Sequence, residues 1–329
     1  MRLRKKGVTM SLILLVVVGL IVVGCSSGNN NAADQQKEEK QFLSIATGGT
    51  SGTYYPIGGA IAKIINEEVT NVSASAQSTG ASVTNSRLIG KKQVELAILQ
   101  NDIASYAVNG KNKFEGKPIT NMQGVATLYP EIIQVVVRDE ANITDIKDLK
   151  GKRVAVGAPG SGVEANAKQI LNTFGITYDD IEEDFLSFAE AAGRLKNRQI
   201  DAVFLTAGVP TAAVMDVAAT QNIDLMNFTD EQIKELNSKY SYLTKVEVPA
   251  NTYNGQEEEV QTIALKATLV VQKSLSKELV YDITKAIFEN RDVLIAAHKR
   301  AKDIKVENAQ DGMTIPLHPG AKKYFEEVK

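Results

Sequence analysis

From residue 42 onward, short apolar runs alternate with stretches in which apolar positions recur every three or four residues. The first pattern is that of buried strands and the second that of amphipathic helices. Runs at 94–99, 132–137, 154–156, 200–205 and 261–271 are rich in Val, Ile, Leu and Ala and predict strands, while 56–68, 164–174 and 280–302 predict helices. Strands and helices in alternation predict an α/β protein with a largely parallel sheet. The acidic and polar stretch 230–259 has no clean period and predicts no element.

The pattern repeats. Ile45-Ala46-Thr47 runs into Gly48-Gly49-Thr50-Ser51-Gly52 and a helix, and Val154-Ala155-Val156 runs into Gly157-Ala158-Pro159-Gly160-Ser161-Gly162 and a helix. Arg87-Leu88 leads to strand 94–99, as Arg194-Leu195 leads to strand 200–205. Gly157 follows Gly48 by 109 positions and Ile200 follows Val94 by 106, so the two matches share nearly one spacing. The chain therefore reads as two similar α/β lobes with a ligand cleft between them. Ligands of open α/β sheets sit at the carboxyl ends of the strands. There, loop amides and the positive ends of helix dipoles hold an anion without any arginine. The expected ligand is a small anion or zwitterion.

Ahead of the lobes, Arg2, Arg4, Lys5 and Lys6 precede the uncharged apolar run 12–23, the order of a secretory signal. Twelve residues fall short of the roughly 20 that cross a bilayer. Val22-Val23-Gly24-Cys25 resembles the lipobox of bacterial lipoproteins, which implies that 1–24 is a signal peptide removed behind Gly24 and that Cys25 is acylated. Residues 26–41 carry nothing larger than Ala that could enter a core, and 25–41 is expected to be a flexible tether. The expected location is extracytoplasmic, lipid-anchored to the cell membrane.

Charge and rare residues narrow the function. The net charge is -2, and without 1–24 the chain sets 33 basic groups against 39 acidic ones with no basic block, so nucleic acid has no electrostatic reason to bind. His298, His318 and Cys25 are the whole supply of His and Cys, which excludes disulfide frameworks, Cys/His metal sites and most His-based catalysis. No metal or cofactor is expected. His298, beside Lys299 and Arg300 in the predicted helix, reads as part of a solvated face, and His318 as loop chemistry before a short terminal helix. Neither glycine loop spells Gly-x-Ser-x-Gly or a nucleotide phosphate loop, so an enzyme is not expected.

Five ordered segments resemble the TAXI family of solute receptors, the extracytoplasmic binding components of TRAP transporters. They are Gly48-Gly49-Thr50-Ser51-Gly52-Thr53-Tyr54-Tyr55-Pro56-Ile57-Gly58-Gly59, Ser78-Thr79-Gly80-Ala81-Ser82, Gly157-Ala158-Pro159-Gly160-Ser161-Gly162, Ala207-Gly208-Val209-Pro210-Thr211 and Leu317-His318-Pro319-Gly320-Ala321. The resemblance implies a two-lobed periplasmic-binding-protein fold of the second type, in which the chain crosses to the second lobe and returns. With crossings after strand 132–137 and within 261–271, lobe one is 42–136 plus 265–329 and lobe two is 137–264. It also implies a glutamate-like amino acid or other small carboxylate as ligand, a TRAP membrane permease as partner, and a monomer that binds without catalysis. A ligand sensor for a signalling partner and an ABC-type binding protein remain as alternatives.

The residues allow a site to be drawn. Gly49, Ser51, Gly52, Ser161 and Gly162 can bring hydroxyl and amide donors to one carboxylate, or serve as caps and turn residues. Tyr54 and Tyr55 offer flat faces to an aliphatic stem, and Tyr129 can close over the ligand from the hinge side; all three could instead pack between helix and sheet. Thr79 and Ser82 open the next helix. Gln100 and Asp102 follow the buried strand, where Asp102 can pair with an α-ammonium group or cap the helix beginning at Ile103. Gly208 and Thr211 hold the equivalent place in lobe two. Other TRAP receptors clamp the carboxylate with an arginine, for which Arg138 and Arg153 are the candidates here.

Overall fold

The computed structural model describes residues 40–328. The expected signal peptide 1–24, Cys25 and nearly all of the tether 25–41 lie outside the described residues. Each glycine-rich loop does what its sequence suggests, ending a short buried strand and turning the chain into a helix.

In chain order, the first elements are β1 (Gln41–Ala46), α1 (Tyr54–Glu68), β2 (Val72–Gln77), α2 (Ser82–Gly90), β3 (Leu96–Gln100), α3 (Asn101–Asn109) and β4 (Met122–Arg138). Then come β5 (Arg153–Ala155), α4 (Gly162–Thr173), β6 (Glu182–Asp184), α5 (Phe188–Lys196), β7 (Ala202–Ala207), α6 (Ala212–Ala218), β8 (Ile223–Leu225), α7 (Asp230–Lys239) and β9 (Thr244–Val248). The chain returns through β10 (Val260–Gln272) and ends with α8 (Lys277–Glu289), α9 (Arg291–Ala297) and α10 (Pro319–Glu327).

The repeat read from the sequence is a repeat of topology. The strand order is β2-β1-β3-β10-β4-β7-β5-β6, so β2-β1-β3 on one side mirrors β6-β5-β7 on the other. Pairing is parallel within each trio. The sheet is not parallel throughout: β10 runs antiparallel to β3 and β4, and β4 antiparallel to β7. These two long strands join the halves.

They also exchange cores. Val125, Ala126, Leu128 and Tyr129 of β4 pack with α1, α8 and α10, whereas Ile133, Val135 and Val137 pack with α4 and β7, and Ile132 and Val136 with α5 and α6. On β10, Leu265 still packs with the residues of the second half and Ala267 with those of the first. On β4 the change comes at Pro130–Ile132, a few residues ahead of the expected boundary after 136, because β4 is one 17-residue strand that includes the whole predicted run 132–137.

Two other expectations change. The predicted helix 280–302 is broken into α8, α9 and a 3-10 turn Lys299–Asp303, and His298 is half-buried at that turn, its Nδ1 accepting from the Arg300 amide at 3.1 Å. Stretch 230–259 holds α7 and β9. Both are exposed elements, α7 burying only Ile233 and Leu236, which explains the missing period. His318 is 2% exposed and caps α10, its Nδ1 accepting from the Gly320 amide at 3.2 Å. Among the described residues no helix is long and apolar enough to cross a membrane.

Arg138 and Arg153 are committed elsewhere than the cleft. Arg138 Nη2 and Arg153 Nη2 lie 2.5 and 2.7 Å from Asp201 Oδ1, and Arg153 Nε donates to Oδ2 at 3.0 Å. These bonds, those from Arg153 foremost, hold the Asp201 carboxyl well below the usual carboxylate range. A depressed carboxyl stabilises the fold above its unfolded value and ceases to do so as pH falls through the folded one. Asp201→Asn should therefore cost about 2 kcal/mol near neutral pH in urea denaturation, a gap that narrows as pH falls below about 4.

Candidate functional site

Four helices begin at one cavity. α1 and α2 reach it from lobe one through Thr53-Tyr54 and Ala81-Ser82, and α4 and α5 from lobe two through Ser161-Gly162 and Ser187-Phe188. The cavity spans about 630 Å³ of space between atoms, part of it open to solvent.

The repeat makes this convergence. In each lobe the first strand ends in a glycine loop that starts one helix, and the next helix starts from the neighbouring strand edge, so both open towards the partner lobe. Gly157 takes φ +100°, and a Cβ there would meet Val163 Cβ at 2.8 Å and the Glu164 amide at 2.9 Å, so the turn into α4 requires glycine. Ser161 Oγ accepts from the Glu164 amide at 3.1 Å. No side chain caps α1 or α2. Ala81, before α2, has φ 65° and ψ -148°, a backbone state strained for any residue with a Cβ, and it lies on the cavity wall.

The lobes meet around the cavity through polar groups. Thr53 Oγ1 accepts from the Gly208 amide at 3.2 Å, and the Thr84 amide donates to Gly160 O at 3.0 Å. Asn166 of α4 accepts from Gln100 Nε2 at 3.0 Å and donates to Asp102 Oδ2 at 3.1 Å. Tyr106 and Tyr242 share a hydroxyl bond of 2.8 Å, and Lys113 pairs with Glu164 at 2.6 Å.

Of the residues expected at the ligand, Gly49, Gly52, Tyr54, Thr79, Ser82, Gln100, Ser161 and Gly162 line this cavity. Ser51, Tyr55, Asp102, Tyr129, Gly208 and Thr211 do not. Tyr55 points outward from α1 and is 37% exposed. Asp102 is fully buried behind the wall, bound to the Ile103 amide at 2.7 Å and to Asn166, and burial pushes its carboxyl up to about 7. Tyr129 is buried in the lobe-one core. Gly208 lies against Thr53 of lobe one and belongs to the joint between lobes, whereas Thr211 Oγ1 donates to Gly208 O at 3.1 Å and accepts from Gln134 Nε2 at 3.0 Å, inside lobe two. Ser51 is half-buried in its loop, off the wall.

The wall also holds residues that sequence reasoning passed over. Glu131 is 2% exposed, and Tyr54 Oη donates to its Oε2 at 2.6 Å. Burial, first of all, pushes this carboxyl well above the usual carboxylate range, Tyr54 opposes the shift, and Asp102 adds to it. The signal was present as an isolated acid inside the apolar run 122–137. Ser187 and Phe188 were legible too, since Ser187-x-x-Glu190 spells a capping box before an apolar residue, and Ser187 Oγ donates to Glu190 Oε2 at 2.7 Å. Among the described residues no Lys, Arg or His lines the cavity.

Comparison with known proteins follows the same lines. A model described as the NMT1-like family matches residues 45–328. Among solved structures, a Listeria monocytogenes protein described as an L-cystine ABC transporter is 16% identical, covering 80% of this chain and 98% of its own, with a TM-score of 0.52. A structure described as a periplasmic transporter is 14% identical over 88% of this chain and 92% of its own, with a TM-score of 0.50. A Bordetella bronchiseptica RB50 protein is 15% identical over 88% of this chain and 83% of its own, also at 0.50. The shared property is the two-lobed α/β fold of periplasmic binding proteins.

A Cβ on Gly162 would fall 1.8 Å from Gln100 Oε1, so a side chain there must push the amide aside. Gly162→Ala should turn Gln100 out of the cavity, break its bond to Asn166 and weaken solute binding at least tenfold. Melting should shift by no more than about 1 kcal/mol, because the displaced atom ends a flexible side chain. Calorimetry paired with thermal denaturation checks both.

Proposed function

The chain belongs to the NMT1-like family, and from that premise we propose that it is an extracytoplasmic solute receptor that captures a small carboxylate or amino acid, glutamate-like or glutamine-like, and delivers it to a membrane permease. The observation that carries this reading is the cavity between two similar lobes, onto which four helix N-termini open and which, among the described residues, no basic side chain enters. Helix N-termini present unpaired amides and a partial positive charge, the means by which a carboxylate is held without a counter-ion.

Binding without catalysis is the chemistry this wall supports. No histidine reaches it, and its serines are half-committed to helix starts, Ser161 and Ser187 as caps and Ser82 Oγ to the Gln100 amide at 3.2 Å. A solute touching both lobes favours the joined arrangement by its differential affinity for the two states. The five TAXI-like segments support a TRAP permease as partner, and the lipobox-like Val22-Val23-Gly24-Cys25 with the polar stretch behind it supports a lipid anchor on the extracytoplasmic side of the cell membrane. Delivery to an ABC importer is the second reading, suggested by the description of the Listeria protein.

A thermal-shift screen of the full-length chain against amino acids, dicarboxylates and neutral sugars tests the ligand class. A solute at about 100 times its Kd adds about 2.7 kcal/mol, which is roughly 5–8 °C for a domain of this size. A shift with an amino acid or small carboxylate is expected. Shifts confined to sugars, or none at all, would remove the ligand class and leave only the fold.

A further inference from the structure

The sequence pointed to Asp102 as partner for a ligand ammonium group, and the structure puts another carboxyl at the cavity. Glu131 follows Pro130 at the place where β4 passes from one core to the other, buried from bulk solvent yet on the wall. Among the described residues its side-chain hydrogen-bond partner is Tyr54 Oη. The titratable groups facing it are Tyr54 from α1, Tyr129 from β4 and Asp102 from α3, none of them a cation. Arg300, from the turn Lys299–Asp303, reaches Tyr129 and is paired with Asp303.

A second acceptor stands on the same wall. Gln100 is 1% exposed, its Nε2 is committed to Asn166, and its Oε1 has no hydrogen-bond partner. A buried amide oxygen without a donor is costly, and native structures seldom leave one so. The cavity is thus two-signed, with amide donors from the helix starts and two buried acceptors in Glu131 and Gln100.

Resting on the receptor reading above, we propose that Glu131 and Gln100 Oε1 recognise a protonated amine, so that the solute is a zwitterion whose carboxylate meets the helix starts and whose ammonium meets Glu131. An ammonium carries three donors, enough for a carboxylate and an amide oxygen together. The opposite arrangement, in which a protonated Glu131 donates to a second solute carboxylate, sets that carboxylate beside the lone pairs of Gln100 Oε1 and leaves them unmet. The ammonium draws the carboxyl into its charged form, so binding expels the proton that the empty, buried carboxyl retains. Affinity therefore falls on acidification.

The test is calorimetry on the full-length chain at pH 7, each proteinogenic amino acid set against the 2-oxo acid of the same skeleton, in phosphate and in Tris. The amino acid should bind about a hundredfold more tightly than its 2-oxo partner, and the two buffers should report proton release. Glu131→Gln, which matches the neutral carboxyl in size, should abolish both the preference and the release while leaving the melting temperature of the empty protein unchanged. Equal or tighter binding of a 2-oxo acid, proton uptake, or an unaltered preference in Glu131→Gln would overturn the assignment while leaving a receptor. Binding of neither class would overturn the receptor reading and this assignment with it.

Discussion

Each of the strands β4 and β10 belongs to both lobes, and the placing of every other element follows from that shared pair. Lying antiparallel from Ile132 against Ala264 to Met122 against Gln272, they cannot slide without breaking one ladder. Their continuity fixes the lobes' separation, and their crossing fixes the floor of the cleft. The ladder is weakest at the crossing, where Pro130 stands opposite Lys266 without an amide hydrogen to give and the register shifts between Lys266 and Thr268. A bend there moves the lobes as bodies while their cores, each with its own helices, stay intact.

The same crossing explains why the cleft carries its particular charges. A strand interior seldom has room for an ionisable group, yet Glu131 is held in one, close to the bend and bonded to a tyrosine from lobe one. The helix starts around it contribute partial charges that are part of the backbone and cannot be neutralised by pH or swung away. Among the described residues Glu131 is the one carboxyl on the wall, set against those fixed backbone charges.

The architecture was legible in the sequence because it is written twice. Ile45-Ala46-Thr47-Gly48 and Val154-Ala155-Val156-Gly157 announce the same strand and turn, and residues placed by those turns, such as Gly52, Ser161 and Gly162, were found on the wall. Legibility failed where position depends on partners distant in sequence. Asp102 has the right neighbours to face a ligand, but Asn166 of the other lobe closes over it. Gly208 and Thr211 hold the equivalent place in the repeat and are taken up by contact with Thr53 and Gln134. Glu131 was hidden in a run whose apolar neighbours argued for a plain strand, since one residue does not change a periodicity. The long strands themselves were half seen, because only 132–137 of β4 has the density of branched residues that marks a strand.

Among the described residues the polar contacts of the seam are mainly between amides and hydroxyls, Thr53 with Gly208, Thr84 with Gly160, Gln100 with Asn166 and Tyr106 with Tyr242, with a single ion pair between Lys113 and Glu164. Such groups trade a protein partner for water at small net cost in either direction. Parting the lobes breaks these contacts and draws Ala165 of α4 out of the cluster it shares with Val83 and Ile103 of lobe one. Dissolved salt has one partly exposed pair to screen, and the poise of the molecule is left to whatever occupies the space between its halves.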